Sequence, residues 1–109
     1  MTRPLPVVVL VSGRGSNFQA LLDRQLCGWL PVEFRAVISN RPGAPALARA
    51  ERHGIPVETI DHKAYPDRAS FDAALQQAID AREPSLVILA GFMRVLTDGF
   101  IEHFRDRLI

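Results

Sequence analysis

A single cysteine, Cys27, stands in the chain, so no internal disulfide can form, and a reducing, cytoplasmic setting fits. Charge of one sign is equally scarce: 13 Lys and Arg meet 12 Asp and Glu, a formal net charge of +1. The basic residues are scattered rather than clustered, which argues against nucleic acid or an anionic membrane as partner. No apolar run approaches the roughly 20 residues that span a bilayer. The amino terminus runs into a strand pattern without the shape of a signal peptide. A soluble protein is expected. Low-complexity segments and internal repeats are also lacking, and 109 residues with 48% hydrophobic content suffice for one small core and one folding unit.

What is present is an alternation of two patterns. Residues 7–11, Val-Val-Val-Leu-Val, form a β-branched run without polar alternation, as in a strand buried on both faces of a parallel sheet. Phe18, Leu21, Leu22 and Leu26 then recur at helical spacing up to Gly28. A second strand is expected at about Glu33 to Ser39, closed by Asn40, Pro42 and Gly43. Ala46, Leu47 and Ala50 mark a short helix ending at Gly54, and Val57 to Ile60 a third strand. Ser70 can cap a helix with the face Phe71, Ala74, Leu75, Ala78 and Ile79, with Asp72 in its first turn. Residues 86–90 read as another buried strand, and Thr97 with Asp98 opens a last helix carrying Phe100, Ile101 and Phe104. Strands alternating with helices imply an α/β fold: a doubly wound, mainly parallel sheet with helices on both faces and right-handed crossovers. Ligands of such sheets bind beyond the carboxyl ends of the strands, where strand order reverses. That edge receives Gly13 to Asn17 and Gly91 to Leu96.

The first of these stretches sits in "VVVLVSGRGSNFQALL", residues 7–22. A loop entering a helix presents unpaired N–H groups and the positive end of the helix dipole, and glycines let an anion approach. A phosphate is the natural ligand, with Ser16 and Asn17 adding short donors; an ordinary capped turn is the plainer alternative. The dinucleotide fingerprint is not met, since a third glycine and an acidic residue closing the second strand are both missing. No Gly-Lys-Ser/Thr follows either, so a small phosphorylated metabolite remains. The second stretch is "LAGFMRVL", residues 89–96. Phe92, Met93, Val95 and Leu96 could make an apolar slot for a flat ring with Arg94 available for a carboxylate, or they could simply cover the end of the sheet.

Taken together, "VLVSGRGSNFQALL", "AVISNRPGAPALARAERHGIP", "DRASFD" and "VILAGFMRVLTDGF" closely resemble the phosphoribosylglycinamide formyltransferases of purine synthesis, over nearly the whole chain. The resemblance implies a Rossmann-like formyltransferase fold. It also implies that Gly15, Ser16 and Asn17 bind the phosphate of glycinamide ribonucleotide, and that Arg68 with Met93, Arg94, Val95 and Leu96 binds the cosubstrate 10-formyltetrahydrofolate. In the family, an Asn-Ile-His-Pro-Ser segment carrying catalytic residues follows a stretch like Arg107, Leu108 and Ile109. Residues 1–109 are therefore expected to be an amino-terminal substrate-binding part that lacks the principal catalytic residues and does not turn over alone. The fourth strand is expected to carry a bare apolar edge prone to self-association.

No catalytic or metal-binding residue is assigned. His53, His62 and His103 are read as structural or solvent-facing, as are Asp61 and Asp72. Cys27 is read as inert packing and Lys63 as a surface lysine near the donor's tail. Formyltetrahydrofolate deformylase and a noncatalytic phosphate-binding module are the alternative readings.

Overall fold

A computed structural model describes residues 3–109. The strands are β1 (Leu5–Val11), β2 (Val32–Ser39), β3 (Val57–Thr59) and β4 (Leu86–Leu89). Between and after them lie the helices α1 (Ser16–Leu26), α2 (Pro45–Arg52), α3 (Arg68–Asp80) and α4 (Asp98–His103), with one 3₁₀ turn at His62–Ala64. The strands form a single sheet in the order β3-β2-β1-β4, and every pairing is parallel. The chain steps outward from β1 through β2 to β3 and then crosses back to β4 on the other side of β1. Strand order therefore reverses between β1 and β4, as the doubly wound reading requires.

The unbroken apolar run of β1 is explained by its two buried faces. Val7, Val9 and Val11 meet Phe18 and Leu22 of α1 and Ala46, Leu47 and Ala50 of α2. Val8 and Leu10 meet Phe71, Leu75 and Ile79 of α3, together with Phe100 and Phe104 around α4. Burying each such side chain stabilises the fold by roughly 1.5–3 kcal/mol, so the helices are held to the sheet mainly by these faces.

Alternation along β2 is interrupted. Val7 pairs with Phe34 but Val8 with Ala36, which leaves Arg35 as an extra residue in the ladder. Val32 and Phe34 consequently face one core and Ala36 and Ile38 the other. A bulge shifts the side-chain phase by one, so both halves of the strand bury their apolar residues.

Several local expectations are corrected. Leu26 and Cys27 do not pack: Leu26 is 62% exposed and Cys27 is exposed too. The helix end is instead fixed by backbone bonds, Gly28 N–H to Gln25 O at 3.0 Å and Trp29 N–H to Arg24 O at 2.9 Å, with Gly28 at φ +80°. α3 is capped by Asp67, which accepts from Ser70 N–H at 2.7 Å, rather than by Ser70. Asp72 lies beyond the first turn and is buried. Ile101 is largely exposed, leaving Phe100 and Phe104 as the residues that bury this segment. The edge of β4 is not bare: Val87 and Leu89 N–H donate to Arg107 O and Ile109 O, both at 2.7 Å. No helix among the described residues is long and apolar enough to cross a membrane.

Candidate functional site

The loop between β1 and α1 is shaped from behind by α2. Gly13 O accepts from Ala46 N–H at 3.2 Å, and Arg14 O accepts from Arg49 Nε at 2.9 Å. Gly15 O accepts from Gln19 N–H at 2.7 Å inside α1. In a trans peptide the C=O and the following N–H point in opposite directions. Three successive carbonyls engaged on the helix side thus turn the N–H groups of Arg14, Gly15 and Ser16 the other way. α1 has no side-chain cap, and neither Ser16, Asn17 nor Phe18 N–H meets a protein acceptor among the described residues. Ser16 is therefore not consumed as a cap. An uncapped helix start with free N–H groups suits an anion.

These groups open on a cavity of about 310 Å³ lined by Ser12 to Asn17, Arg41, Ala90, Gly91 and Met93. The lining holds two arginines and no carboxylate. Gly91, at φ +75°, lies close to the loop: a β-carbon there would sit 3.6 Å from Asn17 Nδ2. The segments after β1 and β4 thus share one cavity at the reversal point of the sheet.

Gly15, Ser16, Asn17 and Met93 are brought together there, whereas Arg68, Arg94, Val95 and Leu96 do not line this cavity. Within the second segment the residues divide. Met93 is 73% and Val95 68% exposed, while Phe92 and Leu96 pack on the core beneath. Arg94 lays its guanidinium over the Phe71 ring, 4.9 Å from the centroid. Arg68 is the first residue of α3 and exposed, one turn before Phe71 and Asp72, which carry this segment.

Ser12, Asn40 and Arg41 escaped sequence reasoning. Ser12 Oγ accepts from Met93 N–H at 2.7 Å and donates to Asn40 Oδ1 at 2.6 Å. The single hydroxyl proton of Ser12 goes to Asn40 Oδ1 while one of its lone pairs takes the Met93 N–H. Only the register of β1 and β2, with Val11 opposite Ser39, makes Ser12 and Asn40 neighbours. Arg41 follows, its backbone held in both directions by Ser39 Oγ.

The remaining candidates have structural partners. His62 Nδ1 lies 2.9 Å from Asn40 O, His53 Nδ1 3.0 Å from Arg49 O, and His103 Nε2 2.8 Å from Asp80 Oδ2. Asp61 accepts from Lys63 N–H at 3.0 Å in the 3₁₀ turn. Asp67 has its carboxyl pKa lowered from the usual 3.8, because Ser70 N–H donates to it. A wider hollow of about 450 Å³ runs along α1 beside Cys27 and Trp29, but it lacks a converging set of donors.

Residues 5–109 match the formyl transferase family. The phosphoribosylglycinamide formyltransferase of Escherichia coli K12 is 41% identical over 103 residues, 94% of this chain and 49% of that protein. The structure of phosphoribosylglycinamide formyltransferase from Coxiella burnetii superposes with a TM-score of 0.94 at 46% identity, covering 97% of this chain and 50% of that one. A formyltetrahydrofolate deformylase from Pseudomonas putida superposes at 0.87 with 30% identity, over 98% of this chain and 37% of that one. The chain thus spans about half the length of the formyltransferases it matches. With the parallel sheet, the uncapped glycine loop and these matches in hand, the chain belongs to the formyl transferase family.

Proposed function

We propose that this chain is the substrate-binding part of an enzyme that transfers a formyl group from 10-formyltetrahydrofolate to the amine of glycinamide ribonucleotide in purine biosynthesis, a reaction of the reducing cytoplasm. The observation that carries this reading is the cavity in which unpaired N–H groups of the glycine loop and two arginines meet Met93, with no carboxylate to repel a phosphate. On this reading Gly15, Ser16 and Asn17 bind the phosphate inside the cavity, while Met93 at its rim, with Arg94, Val95 and Leu96 beyond it, supports the folate and Arg68 attracts its acidic tail. Relatives named phosphoribosylglycinamide formyltransferase support the same assignment.

The chemistry is attack of the amine on the formyl carbon, through a tetrahedral intermediate whose oxyanion needs a donor and whose proton needs an acceptor. No His, Asp or Glu lines the cavity. The acceptor is therefore assigned to another part of the whole protein, and residues 1–109 on their own are expected to bind rather than turn over.

Titration with glycinamide ribonucleotide tests the reading. Binding that is lost in Asn17→Ala supports it; a whole protein that only hydrolyses the formyl group and ignores the nucleotide would make deformylase the better assignment. In a whole protein that does transfer the formyl group, Arg68→Ala should raise the KM for the folate much more than the KM for the nucleotide. The reverse pattern would exchange the two sites.

A further inference from the structure

The segment after β4 has no regular secondary structure, yet both of its ends are tied by buried side chains. Met93 N–H donates to Ser12 Oγ at 2.7 Å, and Thr97 N–H donates to Asp72 Oδ2 at 2.7 Å. Ser12 and Asp72 are 2% and 3% exposed, in β1's extension and in α3 respectively. Ser12 is itself fixed by Asn40 at 2.6 Å, and Asp72 by its place among the core residues of α3. Between the two ties the strap turns Met93 and Val95 outward, while Phe92 just before it and Leu96 within it pack inward.

We propose that Ser12 and Asp72 are positioning residues for the formyl donor: two buried acceptors, one at the end of β1 and one on α3, fix the shape that residues 93–97 offer it. The proposal rests on the reading that this strap carries the folate. An exposed apolar strap without helix or strand hydrogen bonds would otherwise sample many conformations, and ordering it would weaken binding. Both ties use backbone N–H groups, so they act whatever side chains the strap presents. Buried away from water, Asp72 Oδ2 has no solvent donor competing for it, which makes it a firm anchor at the Thr97 end. Ser12 additionally begins the loop that holds the phosphate, so the donor strap and the phosphate loop share one rigid origin.

The test uses the natural full-length product carrying this sequence. Ser12→Ala and Asp72→Ala remove the acceptors; Ser12→Thr and Asp72→Asn keep one. Each alanine variant should raise the KM for 10-formyltetrahydrofolate about tenfold, the size expected for one buried hydrogen bond lost; in Asp72→Ala, whose residue does not line the phosphate cavity, kcat and the nucleotide KM should stay within about twofold. The Thr and Asn variants should stay near the parent value. Amide exchange should quicken at Met93 in Ser12→Ala and at Thr97 in Asp72→Ala, so either anchor decides the matter if the other variant does not fold.

Val95→Asp separates the proposal from the reading beneath it. A raised donor KM in Val95→Asp, with both anchor variants unchanged, overturns the positioning role and leaves the strap as donor site. An unchanged donor KM in Val95→Asp removes the strap from the donor site, and the proposal falls with it. A general loss in Asp72→Ala, with kcat and both KM values moving together, would also overturn it.

Discussion

Gly15 lies so close to Ala46 that a β-carbon on it would stand 2.6 Å from the Ala46 β-carbon and 2.7 Å from its α-carbon. Gly15 is also at φ +83° and buried. Two costs therefore add in Gly15→Ala, the left-handed backbone and the overlap with α2, for about 2–5 kcal/mol of lost stability. Gly13, with nothing within 4 Å of its added β-carbon, should tolerate alanine at under about 1 kcal/mol. Urea unfolding of the two variants measures the difference. Equal midpoints would mean that α1 and α2 are not packed this closely.

Phosphate affinity should depend on Arg41, which lines the cavity and has no ion pair among the described residues. Arg41→Ala should weaken nucleotide binding by roughly tenfold or more, the loss expected for one charge-assisted hydrogen bond. Arg41→Lys should recover part of it as a point charge. The deficit should shrink as salt is raised, since exposed charges are screened. Calorimetric titration at two ionic strengths is the measurement, and an Arg41→Ala affinity equal to the parent at low salt would exclude the role.

Much of this architecture was legible in residue pattern. The apolar run at 7–11 and the helical faces through Phe18 and Phe71 report burial directly. The edge carrying the site followed from alternation of strands and helices, because the reversal of order has one place to fall. What stayed hidden depends on distant neighbours. Arg35 looks like any strand residue until pairing with β1 leaves it unmatched. Ser12 and Asn40 are 28 positions apart and meet only through strand register. Asp67 and Ser70 both suit a cap, and the helix takes the earlier one. Gly15 suggested close approach by an anion from its local pattern, and its close approach to Ala46, 31 positions away, shows only in the packing of α2.

Acid should weaken α3 at its start. Ser70 N–H donates to Asp67 and lowers its carboxyl pKa in the folded protein below the 3.8 of the free group. A carboxylate lowered on folding contributes stability above its unfolded value, and the contribution disappears as pH falls through the folded value. Asp67→Asn keeps an acceptor at this cap but cannot titrate. The stability difference between parent and variant should therefore be constant near neutral pH and change only below about pH 3.8. Thermal unfolding across pH 2–7 reads it, and a difference that first changes near pH 6 would assign the titration to another group.

The outer side of β4 offers the last test. Val87 N–H donates to Arg107 O and Leu89 N–H to Ile109 O, while Ile109 N–H returns a bond to Val87 O at 3.0 Å. Leu108, paired with Val87, is half-buried and packs on the core that α3 and α4 cover. β4 is thus paired on both sides, with β1 and with residues 107–109. Such pairing removes the row of free N–H groups that makes an edge strand adhesive. Amide protons of Val87 and Leu89 should consequently exchange slowly, in step with the interior of the sheet rather than with its loops. Ile109→Pro deletes the N–H that Val87 O accepts, at a cost of about 1–3 kcal/mol to this local pairing. Exchange at both amides should quicken in that variant, and concentration-dependent association should rise with it. If Val87 and Leu89 exchange in the parent as fast as the exposed loop around Gly43, residues 107–109 do not close the sheet, and the adhesive edge expected from the sequence returns.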